Sequence, residues 1–134
     1  MTRGKMNSRS AKLLLKLAPS KIEDENSMSD YPAQLNKLLT YLDDIHANDI
    51  KVLDVRQQTT ITDYMIITSG RSSRHVKSIA DFVMEKMKAD GFPALSENGT
   101  EFGDWALVDF GDYVLHVMQP DSRAFYNLEA LWEK

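Results

Sequence analysis

The chain contains no cysteine. This absence excludes disulfide bonds, thiolate nucleophiles and zinc sites built on cysteine, and it fits a reducing compartment. Long apolar runs are also missing, since no stretch approaches the roughly 20 residues that a membrane-spanning helix needs. With 134 residues, 43% of them hydrophobic and 27% charged, the chain has the composition of one globular domain.

Acidic residues are absent from the first 21 positions, which carry six basic residues: Arg3, Lys5, Arg9, Lys12, Lys16 and Lys21. Residues 22–134 carry 10 basic and 20 acidic residues, so the net charge of −4 hides a strongly acidic remainder. An acidic domain is poorly suited to following a phosphate backbone and better suited to a basic protein surface, where opposite charge steers the encounter. We therefore expect little direct contact with nucleic acid and none with a membrane.

Residues 1–29 are predicted to be a flexible tail, basic and then acidic, and residues 30–134 to be the folded domain. Two alternatives for the tail stay open: Met28 could be the native first residue, or the basic, acid-free start could be an organelle presequence. A secretory signal is not expected, because the apolar cluster at 13–17 is short and interrupted by Lys16. The expected location is the cytoplasm, or a mitochondrion or plastid if the tail is a presequence.

The pattern of apolar residues predicts a single domain of the α/β (α+β) class, with elements in the order α-β-β-α-β-β-β-α. A helix is predicted near 31–47 with Asp30 as its N-cap, a second from Ser72 or Ser73 to about 90, and a third from Pro120 onward. The third helix places Phe125, Leu128 and Trp132 on one face. Strands are predicted at 51–55, 61–68, 92–95, 105–110 and 113–118, and the apolar run at 65–67 indicates that the second strand is buried on both faces.

The last two predicted strands flank Gly111-Asp112, a two-residue loop typical of a tight hairpin. A loop of this length pairs Phe110 with Tyr113, Val108 with Leu115, and Ala106 with Val117. All six residues are apolar or aromatic, so this face of the hairpin is predicted to face the core.

The opposite face of the hairpin is mixed and carries Trp105, Leu107, Asp109, Val114, His116 and Met118. In one interpretation a helix of the same chain covers this face, and Asp109 pairs with His116 or a nearby arginine. In the other, Trp105 and its neighbours form a partly exposed binding patch, since tryptophan is enriched at binding hot spots.

The segment Thr68-Ser-Gly-Arg-Ser-Ser-Arg-His75 is predicted to be a strand-to-helix turn. Glycine and serines before a helix can bind a phosphate through backbone N–H groups, although this is neither a Walker loop nor a Gly-x-Gly-x-x-Gly turn. Capping by Ser72 or Ser73 is the favoured interpretation. Arg74 and His75 remain candidates for contact with an anion or a partner.

Acidic residues and histidines form no recognisable catalytic or metal-binding pattern. Asp54, Asp63 and Asp109 stand singly in or beside separate predicted strands. Magnesium-dependent nucleotidyl transfer, which needs two acids on the metal, would require their assembly in space. We therefore expect no catalytic residue, no cofactor and no metal.

Many short motifs over roughly residues 45–134 resemble the ribosomal silencing factor family, also called the Iojap-like family. The resemblance rests on Asp54-Val55, Ile61-Thr-Asp-Tyr-Met-Ile-Ile67, Ser72-Ser-Arg-His-Val76, Ile79-Ala80, Asp104-Trp105, Val108-Asp109, Gly111-Asp112, His116-Val-Met118, Ser122-Arg123, Leu128-Glu129 and Leu131-Trp132. It implies a mixed β-sheet flanked by helices, with a nucleotidyltransferase-like topology that lacks the catalytic acids.

The resemblance also implies a function without chemistry. Family members bind the large ribosomal subunit through a basic ribosomal protein on its joining face, large-subunit protein fourteen. The bound factor sterically blocks the small subunit and lowers translation when nutrients are scarce, a stress response. The family's contact surface includes the tryptophan that matches Trp105. The residues predicted to bind the partner are Trp105, Leu107, Asp109, Phe110, Tyr113 and Met118.

Two other functions stay open at this point. One is a magnesium-dependent nucleotidyltransferase, and the other is an assembly factor for the large subunit, which is the role that the resemblance implies for organelle relatives. A homodimer is compatible with the leading interpretation.

Overall fold

The computed structural model describes residues 31–132. The predicted tail at 1–29 and the predicted cap at Asp30 lie outside the described residues, as do residues 133 and 134. Tertiary contacts divide the chain between Asn36 and Lys37, so the first turn of the first helix and the sheet belong to different units.

Nine helices and strands occur in the described residues. They are α1 Ala33–Asp44, β1 Asn48–Asp54, β2 Tyr64–Ser69, α2 Ser73–Ala89, β3 Ser96–Asn98, β4 Trp105–Asp109, β5 Tyr113–Met118, α3 Pro120–Tyr126 and α4 Leu128–Trp132. Between residues 31 and 132, no helix has both the length and the hydrophobicity required to cross a bilayer.

The five strands form one mixed sheet in the order β1-β2-β5-β4-β3. The central pair, β2 and β5, is parallel, and the other three pairs are antiparallel. Helix α2 packs against β4 and β5. The predicted class and the mixed sheet flanked by helices are confirmed.

The predicted core is also confirmed where the strands are central. All six residues of β2 are buried, as expected for a strand covered on both faces. On the hairpin, Ala106, Val108, Leu115 and Val117 are fully buried on one face. Helix α2 contributes its own buried stripe, which consists of Val76, Ile79, Ala80, Val83 and Met87.

Two predicted elements differ from the structure. The short strand predicted at 92–95 lies instead at Ser96–Asn98, because Pro93 has no N–H to donate and strand pairing begins only after it. The predicted last helix is broken at Asn127, whose φ of 48° is left-handed. The break separates α3 from α4, and Phe125 is 81% exposed, so its predicted place on one apolar face with Leu128 and Trp132 was wrong.

Candidate functional site

The mixed face of the hairpin has the register predicted from its two-residue loop. Trp105 pairs with Met118, Leu107 with His116, and Asp109 with Val114. The face is covered only in part. Trp105, Leu128 and Trp132 pack as half-buried side chains against a buried cluster that consists of Leu53, Val55, Met65, Ile67 and Met118. The C-terminal helices therefore border Trp105 and leave it partly accessible.

Trp105 makes two further contacts within its own chain. Its indole Nε1–H donates a hydrogen bond to Nδ1 of His116 at 3.0 Å. Its ring lies against Tyr126 of α3, with centroids 4.8 Å apart. The predicted pairing of Asp109 with His116 or an arginine is not found among the described residues. Asp109 instead accepts a hydrogen bond from the backbone N–H of Gly111 at 2.7 Å.

A row of three aromatic side chains begins at Trp105. Tyr126 contacts Trp105 on one side and Phe125 on the other, the latter with ring centroids 5.0 Å apart and planes nearly perpendicular. Tyr126 is 52% exposed and Phe125 is 81% exposed. We call Trp105, Tyr126 and Phe125 the aromatic ridge. Such a continuous, solvent-facing aromatic surface is a typical binding feature of proteins.

The six predicted contact residues divide into two groups. Tyr113 and Met118 are buried, at 2% and 0% exposure, so their side chains are not available to a partner. Trp105, Leu107, Asp109 and Phe110 are half-buried, and Phe110 stacks on Tyr113 with centroids 5.4 Å apart. The burial of Tyr113 follows from its place on the core face, beside Leu115 and Val117 on the same strand.

The sequence does not predict a binding role for Phe125 and Tyr126. A continuous helix from Pro120 onward is expected to turn its apolar side chains toward the core. The available signal was Asn127, because asparagine is one of the few residues that readily adopts a left-handed conformation at a helix end. In the structure α3 ends there, and both Phe125 and Tyr126 are exposed.

His116 is buried at 5% exposure between Trp105 and the interior. Burial disfavours the charged imidazolium and lowers the pKa of His116 to about 4, from an ordinary value of 6.5. The ring is therefore neutral at physiological pH. Because Nδ1 accepts the indole N–H, the single ring proton resides on Nε2.

Acid is expected to destabilise the fold through His116. The unfolded chain binds a proton at this histidine below its pKa of 6.5, whereas the folded chain does so only below about 4. The free energy of unfolding should thus fall as the pH drops from 6.5 toward 4, by about 2 kcal/mol between pH 7 and pH 5. Urea titrations at both pH values measure this change, and a variant with His116→Gln should lose most of it. An equal pH dependence in both proteins would contradict the assignment.

The elbow between α3 and α4 is held by Arg123. Its guanidinium donates to Glu129 Oε2 at 2.9 Å and to Ser69 Oγ at 2.8 Å, and its side chain is only 13% exposed. Arg123 also lowers the pKa of the Glu129 carboxyl through this hydrogen bond. The ion pair with Glu129 spans the turn at Asn127, and the hydrogen bond to Ser69 ties α3 to the end of β2.

Replacement of Arg123 with alanine is expected to lower the free energy of unfolding by about 1–2 kcal/mol, because it leaves Glu129 and Ser69 without their donor in a partly desolvated site. The matched control is Lys77→Ala, which removes an exposed pair with Asp81 at 3.2 Å on helix α2. Exposed pairs of this kind contribute about 0.5 kcal/mol or less. Thermal melts of the two variants compare the effects, and equal losses would count against a structural role for the elbow.

The turn before α2 is closed by its own residues. Ser72 is the N-cap and accepts a hydrogen bond from the backbone N–H of His75 at 3.1 Å. The imidazole Nδ1 of His75 accepts the backbone N–H of Arg71 at 2.9 Å. The favoured interpretation as a helix cap is confirmed at Ser72. Contact of Arg74 or His75 with an anion or partner stays a prediction.

Asp54 and Asp109, two of the three candidate acids, are not brought together. The sheet register places Asp54 and Asp109 on opposite faces. Asp54 forms an ion pair with Arg56 at 2.7 Å, while Asp109 caps the hairpin turn. Across the described part of the chain, no group of three or more acidic or histidine side chains is arranged to hold a metal ion. The geometry therefore gives the nucleotidyltransferase alternative no support.

Comparisons with known proteins agree on one family. The family model described as ribosomal silencing factor during starvation matches residues 28–134. A ribosomal silencing factor of Haemophilus influenzae is 43% identical over 95 residues, covering 71% of this chain and 93% of that protein. A mouse protein named for mitochondrial assembly of the ribosomal large subunit is 35% identical, over 73% of this chain and 44% of its own.

A solved structure supports the same conclusion. The crystal structure of a Chromobacterium violaceum protein is similar with a TM-score of 0.73 and 40% sequence identity, covering 75% of this chain and 83% of that one. Sequence and fold thus point the same way, and the chain belongs to the ribosomal silencing factor family.

Proposed function

We propose that the protein binds the large ribosomal subunit through a basic ribosomal protein on the joining face, large-subunit protein fourteen, and blocks the small subunit by occupying that face. The observation that carries the proposal is the aromatic ridge. Trp105 is fixed at the border of the core, and Tyr126 and Phe125 extend from it into solvent. A preformed row of aromatic side chains can bury a large apolar area in a partner without first being ordered.

Acidic residues near the ridge residues in the sequence support a basic partner. Asp104 precedes Trp105 directly, Asp121 lies in the first turn of α3, and Glu101 lies in the loop before β4, all exposed. Asp109 adds a half-buried carboxylate on the same strand as Trp105. Opposite charge on the partner would accelerate association and orient it, while an RNA backbone would be repelled.

The name of one relative supports the large subunit as the target. The mouse relative is named for assembly of the large subunit of mitochondrial ribosomes. The activity we propose needs no chemistry, since a bound protein on the joining face excludes the small subunit by its volume alone. Repression of translation under nutrient limitation follows from the lower number of joined ribosomes, in the cytoplasm or in the organelle that houses them.

Co-sedimentation with separated subunits tests the target. The protein is expected to sediment with large subunits, and binding should weaken as salt screens the opposite charges. Small subunits and protein-free ribosomal RNA serve as controls, and a second protein lacking residues 1–29 separates the basic tail from the domain. Sedimentation with small subunits only, or equal binding to bare RNA, would refute the proposal.

A role in large-subunit assembly is a second candidate, and the name of the mouse relative is the observation that favours it. The two functions separate in cells that lack the protein. A silencing factor alone predicts normal subunits during growth and an excess of joined ribosomes in starvation. An assembly factor predicts immature large particles during growth.

A further inference from the structure

The sheet register explains why His116 lies within hydrogen-bond reach of Trp105. Trp105 pairs directly with Met118, so His116 is its diagonal neighbour on the adjacent strand. Diagonal positions on one face of an antiparallel pair are within reach of large aromatic side chains. The contact is therefore built into two strands of the sheet, which are rigid compared with a loop.

The hydrogen bond also determines which part of the indole a partner can meet. The only polar atom of the side chain, Nε1, is directed at His116 at 3.0 Å. The ring is further held by Tyr126 at 4.8 Å on α3. With its N–H satisfied inside the protein, the indole can offer a partner only its carbon edge and face.

We propose that His116 is the positioning residue of the docking surface: by accepting the indole N–H of Trp105, it fixes the ring so that the partner meets an apolar surface and must supply an apolar pocket. This inference rests on the proposed function. The neutral ring of His116 makes the acceptor permanent at physiological pH. Trp105 is then ordered before binding, and less side-chain freedom is lost when the complex forms.

Two substitutions separate positioning from packing. His116→Leu fills a similar volume without an acceptor, whereas His116→Gln retains an oxygen that can accept the indole N–H. His46→Asn is the matched control, because His46 is exposed in the left-handed turn before edge strand β1, and asparagine tolerates that conformation. Binding to separated large subunits and unfolding by urea are measured for all four proteins.

The spectroscopic measurement is solvent exchange of the indole N–H protons by nuclear magnetic resonance. The chain has two tryptophans, so two signals are expected, and the Trp132→Phe variant assigns them. The Trp105 N–H should exchange slowly in the wild type and in His116→Gln, and much faster in His116→Leu. If His116 had a purely structural role, His116→Leu would change the free energy of unfolding without a selective change in the exchange of the Trp105 N–H.

We expect His116→Leu to bind large subunits about 5- to 10-fold more weakly while remaining folded, and His116→Gln to recover most of that loss. Wild-type affinity in His116→Leu, or unchanged exchange of the Trp105 N–H, would overturn the positioning role and leave the proposed function standing. Failure of the wild type itself to bind large subunits would overturn both.

Discussion

Replacement of Trp105 with alanine is expected to weaken binding to the large subunit by about 30-fold or more, equivalent to about 2 kcal/mol. The loss has a direct part, since the inner end of the aromatic ridge is removed, and an indirect part, since Tyr126 loses the ring it rests on. Co-sedimentation at increasing concentrations of large subunits measures it.

The same substitution is expected to reduce the stability of the fold, so a matched control is needed. Trp105 packs against the buried cluster and satisfies His116, and its loss should lower the free energy of unfolding by about 2–3 kcal/mol. Trp132 packs against the same cluster without a place in the ridge. Trp132→Ala should therefore show a similar loss of stability and less than about a 3-fold loss of affinity. Equal affinities of the two variants for the large subunit would show that Trp105 is not part of the docking surface.

Replacement of Gly99 with alanine is expected to lower the free energy of unfolding by about 3 kcal/mol. Gly99 has a left-handed φ of +79°, and an added Cβ would lie 2.1 Å from the backbone carbonyl oxygen of Trp105. The loop before β4 must then move away from the strand that bears Trp105. Urea unfolding gives the stability, and the binding assay should show a parallel loss of affinity.

Gly91 provides the control for this prediction. Its φ of +94° is also left-handed, but an added Cβ would meet nothing within 4 Å. Gly91→Ala should therefore lower the free energy of unfolding only by the cost of holding alanine in a left-handed conformation, about 1 kcal/mol. The difference between the two variants measures the close approach of Gly99 to Trp105, and equal losses would show that this approach is not important for stability.

Local sequence patterns were sufficient to predict the register of the hairpin and the burial of the central strand. The two-residue loop at Gly111-Asp112 determines the register, and the alternation of side chains then determines which residues share a face with Trp105. The uninterrupted apolar run in β2 predicted its burial on both faces, which the structure confirms. These features depend on neighbours in sequence or on one short turn, so a single sequence contains them.

Features that depend on distant contacts could not be predicted in this way. Tyr126 is exposed directly before the break at Asn127, and that break is held by an ion pair between two helices and a hydrogen bond to Ser69. The register places His116 near Trp105 but does not determine the side-chain rotamers that bring Trp105 Nε1 within hydrogen-bond distance of His116 Nδ1. The predicted contact patch therefore combines the partly accessible Trp105 with Tyr113 and Met118, which the core encloses.

We propose that occupancy of the large subunit by the protein alone prevents joining. Light scattering of purified large and small subunits, mixed after the large subunits have been incubated with increasing amounts of the protein, measures this directly. We predict that joined ribosomes decline in proportion to the protein bound and vanish near one molecule per large subunit. Full joining with the protein still bound to the joined ribosomes would contradict the claim.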